Sequence, residues 1–351
     1  MLYIVMFFTS LTFTGAVYYF GLMSKEKATE AVLAKQASHH LPTSRLGGVA
    51  SLIPVFIGIF FIDSYIVYSL IISSGIIFLS GLLEDLGYKI KPIFRLICAL
   101  ISGFIAILCT GIWLREVDLT IVSLVLSITP IAIVFTTFCS TGVAHSFNLI
   151  DGLNGLASGI IIIVSVGLYF VAVSVSELEL ARLCLLIIVC VFAFFIWNFP
   201  RGLVFLGDAG AYTFGHLLAW VAIILIHRHP EISAWAILCI FFWPIMDTIL
   251  AIYRRCINRT SIDQPDRMHY HHVIMRGLIL LSRNRFTSEI ANPLATVVIF
   301  PFSICTALFG VIYILDTKSS FILTVFFSML FTAIYIYLIY FIRRKNYKKL
   351  N

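Results

Sequence analysis

Four carboxylates and three side-chain amides in this sequence sit where apolar runs give way to polar turns. Glu84 and Asp85 follow the run that ends at Leu83. Asp151 lies in Asn148-Leu-Ile-Asp-Gly-Leu-Asn-Gly155 with Asn148 and Asn154, and Asn198 opens the stretch that reaches Asp208 in Phe205-Leu-Gly-Asp208. Oxygen donors with no cysteine among them suit Mg²⁺, or Mn²⁺, and Mg²⁺ usually takes one or two protein carboxylates while substrate phosphates complete its shell. The chemistry this points to is metal-assisted handling of a diphosphate. Lys89, Lys91, Arg95, Arg201 and Arg267 stand close enough in sequence to hold phosphate oxygens, although anchoring to anionic lipid explains basic residues equally well. Each acidic position also has a plainer reading: a helix end for Glu84 and Asp85, an Asx-type turn for Asp151, an N-cap for Asp208.

A second group is His269, His271 and His272, beside Arg267 and Arg276. Its spacing allows a transition-metal site, but no cysteine completes a tetrahedral set. Anion binding is favoured, because imidazoles next to arginines can donate to phosphate or sugar oxygens. Asp247 and Arg254 lie at i and i+7 on one helical face, about 10 Å apart, and a structural role is expected for Asp247.

The elements that must carry these residues follow from composition. Of 351 residues, 61% are apolar or aromatic and 12% are charged, and the mean hydropathy is +1.04. Soluble domains carry about 25% charged residues, so a soluble enzyme is excluded. Apolar windows near residues 2–23, 47–63, 65–83, 93–113, 119–140, 156–176, 180–197, 211–227, 232–253, 293–315 and 320–342 predict an all-α polytopic bundle of about eleven membrane helices, with ten as the alternative count. The whole chain, 1–351, reads as one integral membrane domain with a long loop at 254–292 and a basic tail at 343–351. The first run lacks a basic n-region and a small-residue cleavage site, so it reads as a membrane helix rather than a secretory signal. The eight cysteines fall mostly inside apolar runs and read as packing residues.

With eleven spans the termini lie on opposite sides. Placing the basic tail in the cytoplasm puts 20 of the 24 lysines and arginines inside and leaves Arg115, Arg182, Arg228 and Lys318 outside. That asymmetry predicts a cytoplasmic C-terminus and an outer N-terminus. All the polar motifs then fall on the cytoplasmic face, where the active site is expected.

With order and placement established, the chain resembles the polyprenyl-phosphate N-acetylhexosamine-1-phosphate transferase superfamily, of the glycosyltransferase family 4 type, over about residues 39–277. Gln264-Pro-Asp-Arg-Met-His-Tyr-His-His-Val-Ile-Met-Arg276 looks like the D-R-x-H-x-H-H loop of the undecaprenyl-phosphate GlcNAc-1-phosphate transferase branch, and the segments around Asp151 and Asp208 match two further family signatures. The resemblance implies Asp208 as the principal Mg²⁺ ligand, with Asp151 also at the metal. It implies Asp85 as a base at the lipid phosphate, with Glu84 beside it. Asn148, Asp151, Asn198 and Phe205 match positions for nucleotide or metal-site binding, and the histidine loop, with Arg267, His269, His271 and His272, would bind the sugar diphosphate. Asn154, Lys89 and Lys91 are further substrate-binding candidates by residue type and placement. Two positions depart: Glu84 stands where the family has the first of its paired aspartates, and Asn154 stands where the translocase branch has a third aspartate.

Partners implied are a UDP-sugar, undecaprenyl or another polyprenyl phosphate and the bacterial inner membrane, with no nucleic acid; a homodimer stays open. The reaction expected is attack of the lipid phosphate on the β-phosphorus of the UDP-sugar, releasing UMP and initiating a cell-envelope glycan such as O-antigen. An ion or proton-coupled transporter is the alternative class, and it would place its acidic relay near the bilayer midplane. A catalytically silent scaffold is the other.

Overall fold

The computed structural model describes residues 1–23, 43–258, 268–283 and 285–350. Among them the chain forms fourteen α-helices and no strand: α1 (Leu2–Met23), α2 (Gly47–Ile59), α3 (Tyr65–Asp85), α4 (Pro92–Thr110), α5 (Thr120–Leu126), α6 (Thr129–Leu149), α7 (Leu156–Ser174), α8 (Leu178–Asn198), α9 (Gly207–Arg228), α10 (Ala234–Ile240), α11 (Phe242–Asn258), α12 (Tyr270–Leu281), α13 (Ser288–Ile312) and α14 (Thr317–Leu350). This is the all-α membrane bundle expected from composition. Among the described residues nine helices are long and apolar enough to cross a membrane, and the pair α10 and α11 makes ten if counted as one span.

The core is built around α9, whose residues from Ala209 to Leu225 are all buried. It packs against α2, α3, α6 and α7. Small residues permit the close approach: a Cβ on Gly48 would lie 2.4 Å from the Cα of Gly210, so the α2 and α9 backbones touch directly. The outer helices keep bulky apolar side chains such as Phe20, Ile121, Leu124 and Met329 exposed. Such a surface suits hydrocarbon and would be a liability in water.

The bundle has two distinct polar ends. At one, Asp118 accepts from Ser233 Oγ and Ala234 N, both at 2.7 Å, and Arg228 pairs with Glu177 at 2.7 Å. At the other end lie the motif residues. Ser10 Oγ donates to Cys190 O, and α1 runs on toward Ser44, so the chain begins at the Asp118 end. Helix α14 starts beside Asp118, through Thr317, and reaches the motif end, where Tyr335 donates to Met268 O at 2.9 Å. Helix α1 thus starts at the Asp118 end, and helix α14 runs from that end to the motif end.

Three expected spans differ in detail. The segment expected at 47–63 is a helix of only 13 residues, extended by a turn of i→i−3 bonds over Phe60 to Ile62. It still travels the length of α8: Gly47 N donates to Phe205 O just past the end of α8, and Ser64 bonds Glu179 at its start. The run at 119–140 divides into α5 and α6 because Pro130 stands in the first turn of α6, where its missing N–H costs nothing. The run at 232–253 breaks by 89° between α10 and α11. Pro244 explains it, since a proline there can neither bond the carbonyl of Ile240 nor fit against it. Finally, the stretch 254–292, expected as a loop, contains α12.

Candidate active site

The site is assembled where α3 ends and α9 begins. Asp85, the last residue of α3, accepts from Asp208 N through Oδ1 and from Ala209 N through Oδ2, both at 2.9 Å. A carboxylate there satisfies two orphan donors and complements the helix dipole. Gly207 makes this contact possible: its φ is +74°, and a Cβ would sit 2.1 Å from Arg45 O and 2.7 Å from Asp85 Oδ2. Asp208 is thereby fixed in the first turn of α9. Its Oδ1 accepts from Asn148 Nδ2 at 3.0 Å, and its Oδ2 forms an ion pair with Arg95 from the first turn of α4.

Asp151 stands close enough for its charge to interact with that of Asp208. Burial first, and then the charge of Asp208, push its carboxyl up to about 7, with Arg45 and the Gly207 N–H offsetting part of the rise. The turn that carries it is tied down from below. Asn198 Oδ1 accepts from Gly155 N at 2.7 Å while its Nδ2 donates to Val204 O at 2.8 Å. Asn154 donates through Nδ2 to Pro200 O at 2.8 Å, and its backbone is held by Asn292 and Thr296 of α13. Both asparagines, expected at the substrate, are 3% exposed, and what they do here is join the Asp151 turn to the 198–206 loop. Phe205 joins this loop to α2 by backbone bonds to Ser44 and Gly47.

Glu84 accepts from Ile90 N at 2.6 Å and so closes the turn between α3 and α4. Lys89, at φ +47°, and Lys91 project from that turn and are exposed. Among the described residues neither forms an ion pair with Glu84, Asp85, Asp151 or Asp208.

The histidine motif is docked by α11. Arg254 donates to Met268 O at 3.0 Å and to Tyr335 OH at 2.7 Å. Asp247 Oδ1 accepts from Tyr270 N at 2.9 Å, and its Oδ2 lies 3.1 Å from His271 Nδ1 and 3.4 Å from His269 Nδ1. Tyr270 stacks on Trp243 with ring centroids 5.2 Å apart. Asp247 and Arg254, expected on one helical face, thus hold the same loop rather than each other. The far sides of the imidazoles reach the Asp151 turn: a Cβ on Gly152 would stand 2.8 Å from His271 Nε2 and 3.3 Å from His272 Nε2. Burial, then the neighbouring His271 and His269, push the His272 imidazole down to about 3, which keeps it neutral. Arg267 lies outside the described residues.

The fold therefore brings Asp85, Asn148, Asp151, Asp208, His271 and His272 to one end of the bundle and uses Glu84, Asn154 and Asn198 to hold the connecting turns. The carboxylates of Asp208 and Asp151, with oxygen donors only, have the chemistry of a site for a hard divalent cation. Asp247, His269 and His271 form a second set whose ligand atoms lie within 4.8 Å of one another. Several participants carry no motif of their own: Arg45 near the carboxylates, Asp247 on the histidines, and His145 and Tyr212, whose rings meet at 4.9 Å within reach of the Asp208 charge. Helical spacing was the available signal for the last two, since His145 precedes Asn148 by three residues and Tyr212 follows Asp208 by four.

Comparison with known proteins bears on this arrangement. The model of glycosyl transferase family 4 matches residues 67–226, which run from α3 to α9 and include every carboxylate above except Asp247. A probable undecaprenyl-phosphate N-acetylglucosaminyl 1-phosphate transferase of Bacillus subtilis is 28% identical over 238 residues, 66% of this chain and 65% of that protein. An undecaprenyl-phosphate alpha-N-acetylglucosaminyl 1-phosphate transferase of Yersinia pestis is 27% identical over 210 residues, 58% of this chain and 57% of that protein. Its counterpart in Escherichia coli K12 is 26% identical over 244 residues, 66% and 65% of the two chains. The match thus spans less than two thirds of the length of each of these relatives.

Proposed function

We propose that the chain, whose residues 67–226 match the model of glycosyl transferase family 4, is a member of that family that transfers a sugar 1-phosphate from a UDP-sugar to a polyprenyl phosphate, releasing UMP. The observation that supports this most directly is the convergence of Asp85, Asp151 and Asp208 with Arg95 on the first turn of α9. Both reactants are anions, so a catalyst must neutralise repulsion and align an oxygen of the lipid phosphate with the β-phosphorus. The new P–O bond forms there as the bond to the bridging oxygen breaks, and that oxygen leaves with UMP.

In this reading Asp208 and Asp151 hold Mg²⁺, or Mn²⁺, which would screen the phosphate charges when bound. Asp85 orients Asp208 through the α9 backbone, and each of its oxygens retains a lone pair with which to take a proton from the lipid phosphate. Asn148 fixes the second oxygen of Asp208. Arg95 already neutralises Asp208 and is placed to pass to a phosphate oxygen. His271 and His272, facing the turn of Asp151, meet the sugar diphosphate.

UDP-GlcNAc is the donor we favour, because the relatives' names specify N-acetylglucosaminyl transfer. We place the motif end in the cytoplasm, because basic residues gather there while Arg115, Arg182, Arg228 and Lys318 mark the other end, and we place the chain in the bacterial inner membrane. Initiation of a cell-envelope glycan such as O-antigen is the corresponding role. Attack is taken to be direct; phosphorylated Asp85 or Asp208 trapped with donor alone would overturn that choice.

The deciding experiment is UMP release by the full chain in nanodiscs with UDP-GlcNAc, polyprenyl phosphate and Mg²⁺. Release should require all three, and none with any UDP-HexNAc donor would reject the proposal.

A further inference from the structure

We propose that Asp247 is the positioning residue of the histidine loop, holding His271 as the Nδ1–H tautomer so that Nε2 presents its lone pair to the turn of Gly152 and Asp151. This rests on the reading above, in which the loop meets the sugar diphosphate, and adds a residue that would not touch substrate.

The geometry carries it. Asp247 is 2% exposed and His271 1%, so their contact is shielded from water. The carboxylate accepts Tyr270 N through Oδ1 at 2.9 Å, which fixes its plane, and turns Oδ2 to His271 Nδ1 at 3.1 Å. An ionised carboxylate can only accept, so the proton of this contact sits on Nδ1. The tautomer of a histidine is set by the bond its other nitrogen makes, and here the other nitrogen faces Gly152. Orientation of a working imidazole by a buried carboxylate is a recurring catalytic arrangement.

Docking of the loop does not depend on that single bond. Arg254 and Tyr335 both donate to Met268 O, at 3.0 and 2.9 Å, and the buried Tyr270 ring packs on Trp243 and on Phe331, the latter at 4.4 Å between centroids. Asp247 thus adds something the other anchors do not supply, which is the choice of protonated nitrogen. Replacing it by Asn can preserve an acceptor for Tyr270 N while turning an NH₂ donor toward His271, which forces the ring into the opposite tautomer.

The test uses the full chain in nanodiscs and compares Asp247→Asn, His271→Ala and the double variant in UMP release. Each single variant should lower kcat by about 30-fold or more, and the double variant should match His271→Ala within about twofold, because one residue acts through the other. Losses that multiply in the double variant, or wild-type kcat in His271→Ala, would overturn the proposal. Selective ¹⁵N-histidine NMR of the wild-type protein, with the signal identified by its loss in His271→Ala, needs no turnover and no folded Asp247 variant. Protonated Nδ1 is expected; protonated Nε2 overturns the proposal even if the protein releases UMP. One bound zinc per chain that disappears in Asp247→Asn would also overturn it, by making the same atoms a metal site. If the wild type releases no UMP with any donor, the transferase reading fails and the tautomer still decides this one.

Discussion

Asp85 and Asp208 are joined backbone to side chain: the carboxylate at the end of α3 accepts the N–H of Asp208 at 2.9 Å and that of Ala209 at the same distance. One acidic residue therefore builds the helix start that aims the other. Asp85→Ala orphans two donors in a partly buried place, and each costs about 1–3 kcal/mol. The variant should melt at lower temperature and release no UMP. Asp85→Asn keeps one acceptor and should lose less stability. An Asp85→Ala protein that melts like wild type yet is inactive would assign this carboxylate to chemistry alone.

Arg95 and Asp208 form a partly buried ion pair, with side chains 18% and 15% exposed. Removing the guanidinium leaves the carboxylate uncompensated and more attractive to a cation. In Arg95→Gln the affinity for Mn²⁺, followed by electron paramagnetic resonance, should rise by about tenfold, equivalent to roughly 1.4 kcal/mol. UMP release should fall over the same comparison, because the phosphate partner is gone. Weaker Mn²⁺ binding would show that Arg95 supports the metal site rather than competing with it.

Much of this was legible from residue order. The runs behind α3, α7 and α8 have few polar interruptions, and their expected boundaries agree with the helices within a few residues. The broken run at α10 and α11 was harder, because hydropathy averages over Trp243-Pro244 and registers no bend, although Pro244 was the available clue. The acidic and histidine motifs were visible as separate segments; what joins them was not. Asn198 and Asn154 look like ligand residues from type alone, and only the packing of α7, α8 and α13 shows that Asn198 Oδ1 and Nδ2 and Asn154 Nδ2 bond backbone groups of the connecting turns. Asp247 sits in an apolar stretch some twenty residues before the histidines, and no local spacing reports a contact made through a chain reversal.

Asn148 and Asn198 should separate function from stability. Asn198→Ala would strand Gly155 N and Val204 O in the core, at about 1–3 kcal/mol for each unsatisfied group. A marked fall in melting temperature is expected. Asn148→Ala removes a single bond to Asp208 at the site itself. Its melting temperature should stay near wild type while UMP release drops, and the reverse pattern would exchange the two roles.

Asp151 sets a pH dependence whose sign follows from its raised carboxyl, at about 7. An unfolded aspartate titrates near roughly 3.9, so between these values the folded protein holds a proton that the unfolded chain has lost. Without divalent cation, stability is greatest below the unfolded value and declines as pH rises through about 7. Bound Mg²⁺ favours the anion, so its apparent affinity should increase over the same interval. Melting curves from pH 5 to pH 8, with and without Mg²⁺, should show opposite trends that Asp151→Asn removes. Parallel curves would take Asp151 out of the cation site.

Gly152 is the point at which the acidic turn and the histidine loop touch. A methyl group there would stand 2.8 Å from His271 Nε2, and the ring cannot retreat easily because Asp247 holds its other side. Gly152 itself is half-buried and the strain falls on His271 and His272 of the loop, so Gly152→Ala should fold with a modest fall in melting temperature. The displaced imidazole should raise the KM for the UDP-sugar by about tenfold, the scale of one lost hydrogen bond from a sugar hydroxyl or amide to His271 Nε2. Amide exchange in α12 should quicken as the loop loosens, while exchange in α9 stays unchanged. A variant with wild-type KM and unaltered exchange would mean that the histidines and the Asp151 turn separate when substrate binds, and that the two motifs work from opposite sides of it.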